Sequence, residues 1–159
     1  MSSGEVIASP LTGEIKPLST IEDAAFSSGA IGQGVAIEPT EGRLVSPVSS
    51  TVTALFPTKH AIGITSDEGT EILIHIGMNT VQLEGKWFTA HVTEGTRIEK
   101  GQLLIEFNIE EIQAAGFKTV TPIVITNLTE YTDWHITNKK HIQVGEPILA
   151  LHKTNQQHI

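Results

Sequence analysis

Short apolar runs rich in Val, Ile and Thr recur along the chain, with Gly, Pro, Asp or Asn between them. This is the pattern of strands joined by turns. The clearest runs lie at residues 35–37, 51–56, 61–65, 71–76, 102–107, 122–126 and 147–151. With 14 Gly and 7 Pro, turns are frequent and long helices disfavoured. The best helical stretch follows Asn108, a suitable N-cap. Glu111 stands three residues later and Gly116 is placed to end it. A second helical turn is expected within residues 20–26. Everything else predicts an all-β domain, an antiparallel β-sandwich or barrel-like closure carrying one or two short helices.

Two segments echo each other. Ser9-Pro10-Leu11-Thr12-Gly13 is similar to Ser46-Pro47-Val48-Ser49-Ser50, and residues 95–104 are similar to residues 141–149. Reused turn chemistry and a duplicated hairpin unit both explain this.

A length of 159 residues fits one domain with its own core, spanning residues 1–159, with residues 1–4 and 153–159 expected as frayed ends. No apolar run approaches the roughly 20 residues that span a bilayer. The start lacks the basic and apolar parts of a signal peptide, so a cytoplasmic setting is expected. Zero Cys excludes disulfides, thiolate metal sites and a cysteine nucleophile. A net charge of −8 argues against a nucleic-acid partner.

Candidate chemistry gathers at two histidines. His60 opens one predicted strand and His75 closes the next, with Ser66-Asp67-Glu68-Gly69-Thr70 as the turn between. A two-residue turn at Asp67-Glu68 sets His60 opposite His75, and one at Glu68-Gly69 makes them diagonal neighbours. Either way they share a face, whereas a register shifted by one would separate them. Adjacent buried imidazoles resist protonation, which leaves a neutral nucleophilic nitrogen near pH 7. One ring can accept a phosphoryl group while the other donates a hydrogen bond to its oxygens. Thr58, on the same face if the strand reaches it, can orient a histidine. Such transfer asks mainly for alignment and charge stabilisation. The plainer reading is a pair of structural histidines. The apolar neighbours Leu73, Ile74 and Ile76, and the open backbone at Gly77, weigh against it.

Thr58-Lys59-His60-Ala61-Ile62-Gly63-Ile64 and Ile74-His75-Ile76-Gly77-Met78-Asn79-Thr80-Val81 together resemble the glucose-type enzyme IIA domain of the bacterial phosphoenolpyruvate-dependent sugar phosphotransferase system. The similarity runs from Ser9-Pro10-Leu11 through Gly85-Lys86-Trp87-Phe88 to Val144-Gly145-Glu146. It implies an antiparallel β-sandwich in which His75 takes a phosphoryl group from the carrier HPr and passes it to a cysteine of an enzyme IIB domain. His60 then stabilises the phosphate and Thr58 orients His60. The implied docking rim is Asp23, Ala24, Phe26, Ile31, Phe56, Leu73, Met78, Asn79 and Val81. No cofactor is implied, and Zn²⁺ on His60 and His75 would be adventitious.

Asn79 departs from the family, which usually has Asp there. The carboxylate would meet an arginine of HPr, so its loss implies weaker or less salt-sensitive docking with transfer retained. Phe88-Thr89-Ala90-His91-Val92 is similar to the β-glucoside, sucrose and trehalose branch, whose enzyme IIA is commonly fused to a membrane permease. Membrane association is expected only through such a permease. His91, His135, His141, His152 and His158 read as surface, loop or tail residues.

Two rivals fit less well. A zinc hydrolase would need a third ligand at motif spacing, which the chain does not offer. A lipoyl or biotinyl carrier needs an exposed lysine at a hairpin tip, and Lys59 and Lys86 lack that setting. A regulatory role, in which a phosphohistidine changes the charge of an apolar face, is compatible with phosphotransfer.

Overall fold

The computed structural model describes residues 2–154. In chain order the elements are β1 (Ser2–Ala8), β2 (Gly13–Pro17), α1 (Ala24–Ser27), β3 (Gln33–Pro39), β4 (Arg43–Val45), β5 (Ser50–Leu55), β6 (Ala61–Ser66) and β7 (Glu71–His75). They continue with β8 (Phe88–Ala90), β9 (Arg97–Ile98), β10 (Leu103–Phe107), α2 (Ile109–Ala114), β11 (Thr121–Ile125), β12 (Asp133–Ile136), β13 (His141–Ile142) and β14 (Pro147–Thr154). All pairings are antiparallel, in sheets ordered β13-β2-β3-β11-β7-β6-β5-β9, β4-β10-β8 and β1-β14-β12.

Alternation along β7 explains where the core sits. Ile72 and Ile74, with Ile76 just beyond the strand, enter the main cluster with Ile7, Ile37, Ile62, Ile98 and Ile123. Leu73 points the other way and packs on a second cluster of Leu18, Ile21, Phe26, Ala36, Met78 and Val124. His75 shares Leu73's parity, so it lies on the face that α1 covers. On β6 the residues opposite His75 and Leu73 are the small Ala61 and Gly63.

The expected helix forms, and Asn108 Oδ1 accepts from the Glu111 N–H at 3.0 Å. The turn expected at residues 20–26 divides into a 3₁₀ turn at Leu18–Thr20 and α1, which Asp23 caps through the Ala25 N–H. Of the ends expected to fray, Ser2 pairs with Thr154, Ser3 with Lys153 and Gly4 with His152. Polar side chains there concealed backbone groups that a neighbouring strand satisfies. Met1 and residues 155–159 lie outside the described residues.

The sequence echo has a structural counterpart. Ser9 Oγ donates to the Leu11 carbonyl and Ser46 Oγ to the Val48 carbonyl, each at 2.6 Å. The Gly145 N–H donates to the Ser9 carbonyl just as the Gly101 N–H donates to that of Ser46. Val45 N–H donates to Pro10 and Ala8 N–H to Pro47, which relates the two turns by an approximate two-fold. This arrangement favours a repeated hairpin unit over shared turn chemistry.

Candidate functional site

The β6–β7 hairpin has neither expected register. Ser66 donates through its N–H to Thr70, and the intervening residues Asp67, Glu68 and Gly69 form a three-residue turn with Gly69 at φ +95°. Ala61 therefore opposes His75, the shift by one that cross-strand geometry says should separate the histidines. They meet nevertheless, with ring centroids 4.9 Å apart at 82°. His60 escapes the alternation because it precedes β6 and follows Lys59, a left-handed residue at φ +62°. Its carbonyl still accepts from the Ile76 N–H at 2.7 Å, which ties it to the end of β7.

Thr58 is likewise in a turn rather than an extended strand, and its Oγ1 lies 2.7 Å from His60 Nδ1. His75 Nδ1 lies 2.8 Å from the Gly77 carbonyl. A carbonyl only accepts, so this contact places the hydrogen of neutral His75 on Nδ1 and leaves a lone pair on Nε2. Among the described residues no buried side-chain nitrogen or oxygen lacks a hydrogen-bond partner. Neither Nε2 has one, so both reach solvent, although His60 is only 2% exposed overall.

Burial, with the His75 ring as the second cause, lowers the pKa of His60 to about 4. Burial also lowers that of His75, against the Gly77 carbonyl and the charge of Asp23, which favour its protonated form. The pair is therefore neutral at pH 7.

Phe26 lies against His75 and Phe56 against His60, with centroids 5.2 and 5.4 Å apart. Of the expected rim, Ala24, Phe56, Asn79 and Val81 are exposed, while Asp23, Ile31 and Leu73 are half-buried. Phe26 and Met78 are a correction, since both are buried in the second cluster and support the rim from below. A 460 Å³ recess beside the site joins Asp23, Met78 and Asn79 to Glu22, Gln82 and Lys118.

The remaining described histidines are remote in chemistry. His91 pairs with Glu106 at 2.8 Å on the surface. His135 and His141 stand in the short edge strands β12 and β13, and His152 in β14, the central strand of its sheet, rather than in loops. His158 lies outside the described residues. No group of three potential ligands suited to a metal ion occurs among the described residues.

Residues 5–131 match the family described as phosphoenolpyruvate-dependent sugar phosphotransferase system, EIIA 1. A β-glucoside-specific EIIBCA component of Halalkalibacterium halodurans is 56% identical over 147 residues, which are 92% of this chain and 23% of that protein. The chain thus spans under a quarter of that relative. The glucose-specific EIIA component of Bacillus cereus is 51% identical over 77% of this chain and 74% of its own. Among solved structures, glucose permease IIA from Mycoplasma capricolum superposes with a TM-score of 0.87 at 30% identity, covering 93% of this chain and 96% of its own. The expected sandwich and the similarity to the β-glucoside branch both stand.

Proposed function

Because the chain belongs to the EIIA 1 family of the phosphoenolpyruvate-dependent sugar phosphotransferase system, a family of phosphotransferase components, we propose that His75 is its phosphoryl acceptor, HPr its donor and an enzyme IIB cysteine its acceptor. The observation that carries this is the disposition of the two rings. Each has Nδ1 engaged, by Thr58 or by Gly77, and each presents Nε2.

In the forward step His75 Nε2 attacks the phosphorus of the carrier's phosphohistidine. A new N–P bond forms, the old N–P bond breaks, and its electron pair leaves with the carrier's imidazole. His75 keeps its Nδ1 hydrogen, so its ring becomes cationic. The Gly77 carbonyl and Asp23 stabilise that charge. His60, held neutral by burial, accepts at Nδ1 from the Thr58 hydroxyl and donates from Nε2 to a phosphoryl oxygen. The cationic ring is in turn a good leaving group when a cysteine thiolate attacks.

The exposed rim of Phe56 and Val81 provides apolar docking area around this charged centre. The relatives that carry EIIB, EIIC and EIIA in one chain support an EIIB partner from a β-glucoside-type permease. They also support a cytoplasmic position, with membrane association only through that permease; no helix among the described residues is long and apolar enough to span a bilayer. Transfer requires no metal, and Zn²⁺ on His60 and His75 is adventitious. The test is to mix the phosphorylated chain with an isolated EIIB domain in chelator. Phosphate should move to the EIIB cysteine, and failure to move would refute the relay.

A further inference from the structure

The two turns related by the approximate two-fold border a cleft of 470 Å³ whose lining shares no residue with the histidine site. Its frame is built in pairs. The Gly101 N–H donates to the Ser46 carbonyl at 2.8 Å and the Gly145 N–H to the Ser9 carbonyl at 2.9 Å. Each glycine ends a turn of the same kind, closed from Gln102 to Glu99 at 3.0 Å and from Glu146 to Gln143 at 3.1 Å. A Cβ on either glycine would meet nothing within 4 Å, so open space lies beside both. Both glycine N–H groups and both serine hydroxyls are already committed to this frame. The backbone therefore sets the shape of the cleft, and recognition falls to its side chains.

In those side chains the two-fold breaks. Lys100 precedes Gly101, whereas the equivalent residue before Gly145 is Val144. Lys100 is exposed, and its ammonium has no ion pair or hydrogen bond among the described residues. Val144 is 44% exposed, one of the few large apolar side chains so open to solvent. Arg43 adds a second cation, held by Glu106 at 3.7 Å from outside the lining. Thr12 Oγ1 accepts from the Val144 N–H at 3.0 Å and keeps its own hydrogen for an acceptor in the cleft. Glu41 is the one carboxylate of the lining. Two cations against one carboxylate reverse the balance of a chain whose net charge is −8.

We infer that this cleft binds a small amphipathic anion, a phosphate or carboxylate carried on an apolar body. Its charge lies against Lys100 and Arg43, and its apolar part covers Val144. A bare inorganic anion would leave Val144 in water, and an uncharged apolar compound would leave Lys100 without a counter-ion. Lys100 and Arg43 repel a cation. Glu41 disfavours a ligand with several negative charges and can accept from a ligand hydroxyl. The volume falls in the range of small-molecule sites, about 300–1,000 Å³. The cations are open to solvent, so binding is modest in strength and weakens with salt. This inference does not rest on the role proposed for His75.

The experiment follows the backbone amides of the ¹⁵N-labelled chain during titration with phenyl phosphate and with benzoate. Inorganic phosphate and phenol are titrated separately as the two halves of the probe. Saturable shifts are expected at Gly101, Val144 and Gly145 with at least one of the aromatic anions, and a response to one alone identifies the head group. Each half should bind at least about tenfold more weakly, since an apolar contact contributes about fourfold per methylene withdrawn from water. Val144→Ser should lose about that factor. Lys100→Glu replaces an attraction by a repulsion, each worth up to roughly fivefold. Inorganic phosphate binding as well as phenyl phosphate would mean an adventitious ion only and overturns the inference. Phenol binding as well as either anion overturns it too, as does affinity unchanged in Lys100→Glu. So do shifts absent from these three amides, or confined to His60 and His75. Both substituted side chains are exposed, and should a variant not fold, the comparison of whole and half probes on the wild type decides.

Discussion

The rings of His60 and His75 meet with centroids 4.9 Å apart, although Ala61 and not His60 is the strand partner of His75. Contact is made at the end of the hairpin, where Lys59 turns the chain and the His60 carbonyl holds the Ile76 N–H. The arrangement keeps both rings neutral, and its consequences are measurable.

Acid should unfold the protein partly through His60. Its folded pKa, about 4, lies below the ordinary value of 6.5. Between those values the unfolded state binds more protons, so stability falls as pH drops from 6.5 to 4. One proton contributes at most about 1.4 kcal/mol per pH unit. Denaturant unfolding across that window should show a shallower acid slope in His60→Gln. An unchanged slope would mean that His60 is already protonated in the fold.

His60→Ala should still accept phosphate on His75 but pass it on poorly. The loss of one preorganised donor to the phosphoryl oxygens should cost on the order of 10²- to 10³-fold in transfer to EIIB. Thr58→Val should give a smaller loss in the same step, with Thr58→Ser close to wild type. Chase kinetics from the phosphorylated chain measure both, and equal rates for all variants would contradict the role given to His60.

Asn79→Asp should tighten HPr docking and make it more sensitive to salt. Asn79 is exposed and left-handed at φ +60°, and its side chain makes no capping hydrogen bond, so it is free to face a partner. An exposed ion pair is worth about 0.2–1 kcal/mol, or up to roughly fivefold in affinity at low ionic strength. Titrations at low and high salt should converge at high salt, and a salt-independent difference would rule out a charge effect.

Gly77→Ala should damage stability and chemistry together. Its Cβ would collide with the Lys118 carbonyl and Thr80, and the residue would keep a positive φ. Strain of this kind costs about 1–3 kcal/mol before the clash is added. Thermal unfolding should show the loss, and an unperturbed melt would mean that the loop accommodates a side chain.

Much of this site was legible from side-chain letters alone. The apolar run at residues 71–76 announced β7, and Asn108 marked the start of α2. What stayed hidden was backbone. The Gly77 carbonyl holds His75, yet an acceptor on the main chain has no letter of its own. Gly69 closed a turn one residue longer than expected, and the register moved with it. The contact between the histidines survived only because His60 lies outside the strand. The polar residues at the Ser2–Thr154 end of the β1–β14 ladder gave no apolar pattern to read, although their backbones pair. The resemblance put Phe26 and Met78 in the rim, but their side chains turn into the second cluster.

Where the phosphate lands decides whether His75 is the acceptor. The chain would be incubated with phosphoenolpyruvate, enzyme I and HPr, and the ring and nitrogen that carry the label identified. An acid-labile phosphate is expected on Nε2 of His75, retained in His60→Ala and absent from His75→Ala. Label on His60 or His91, or label that persists in His75→Ala, would contradict it.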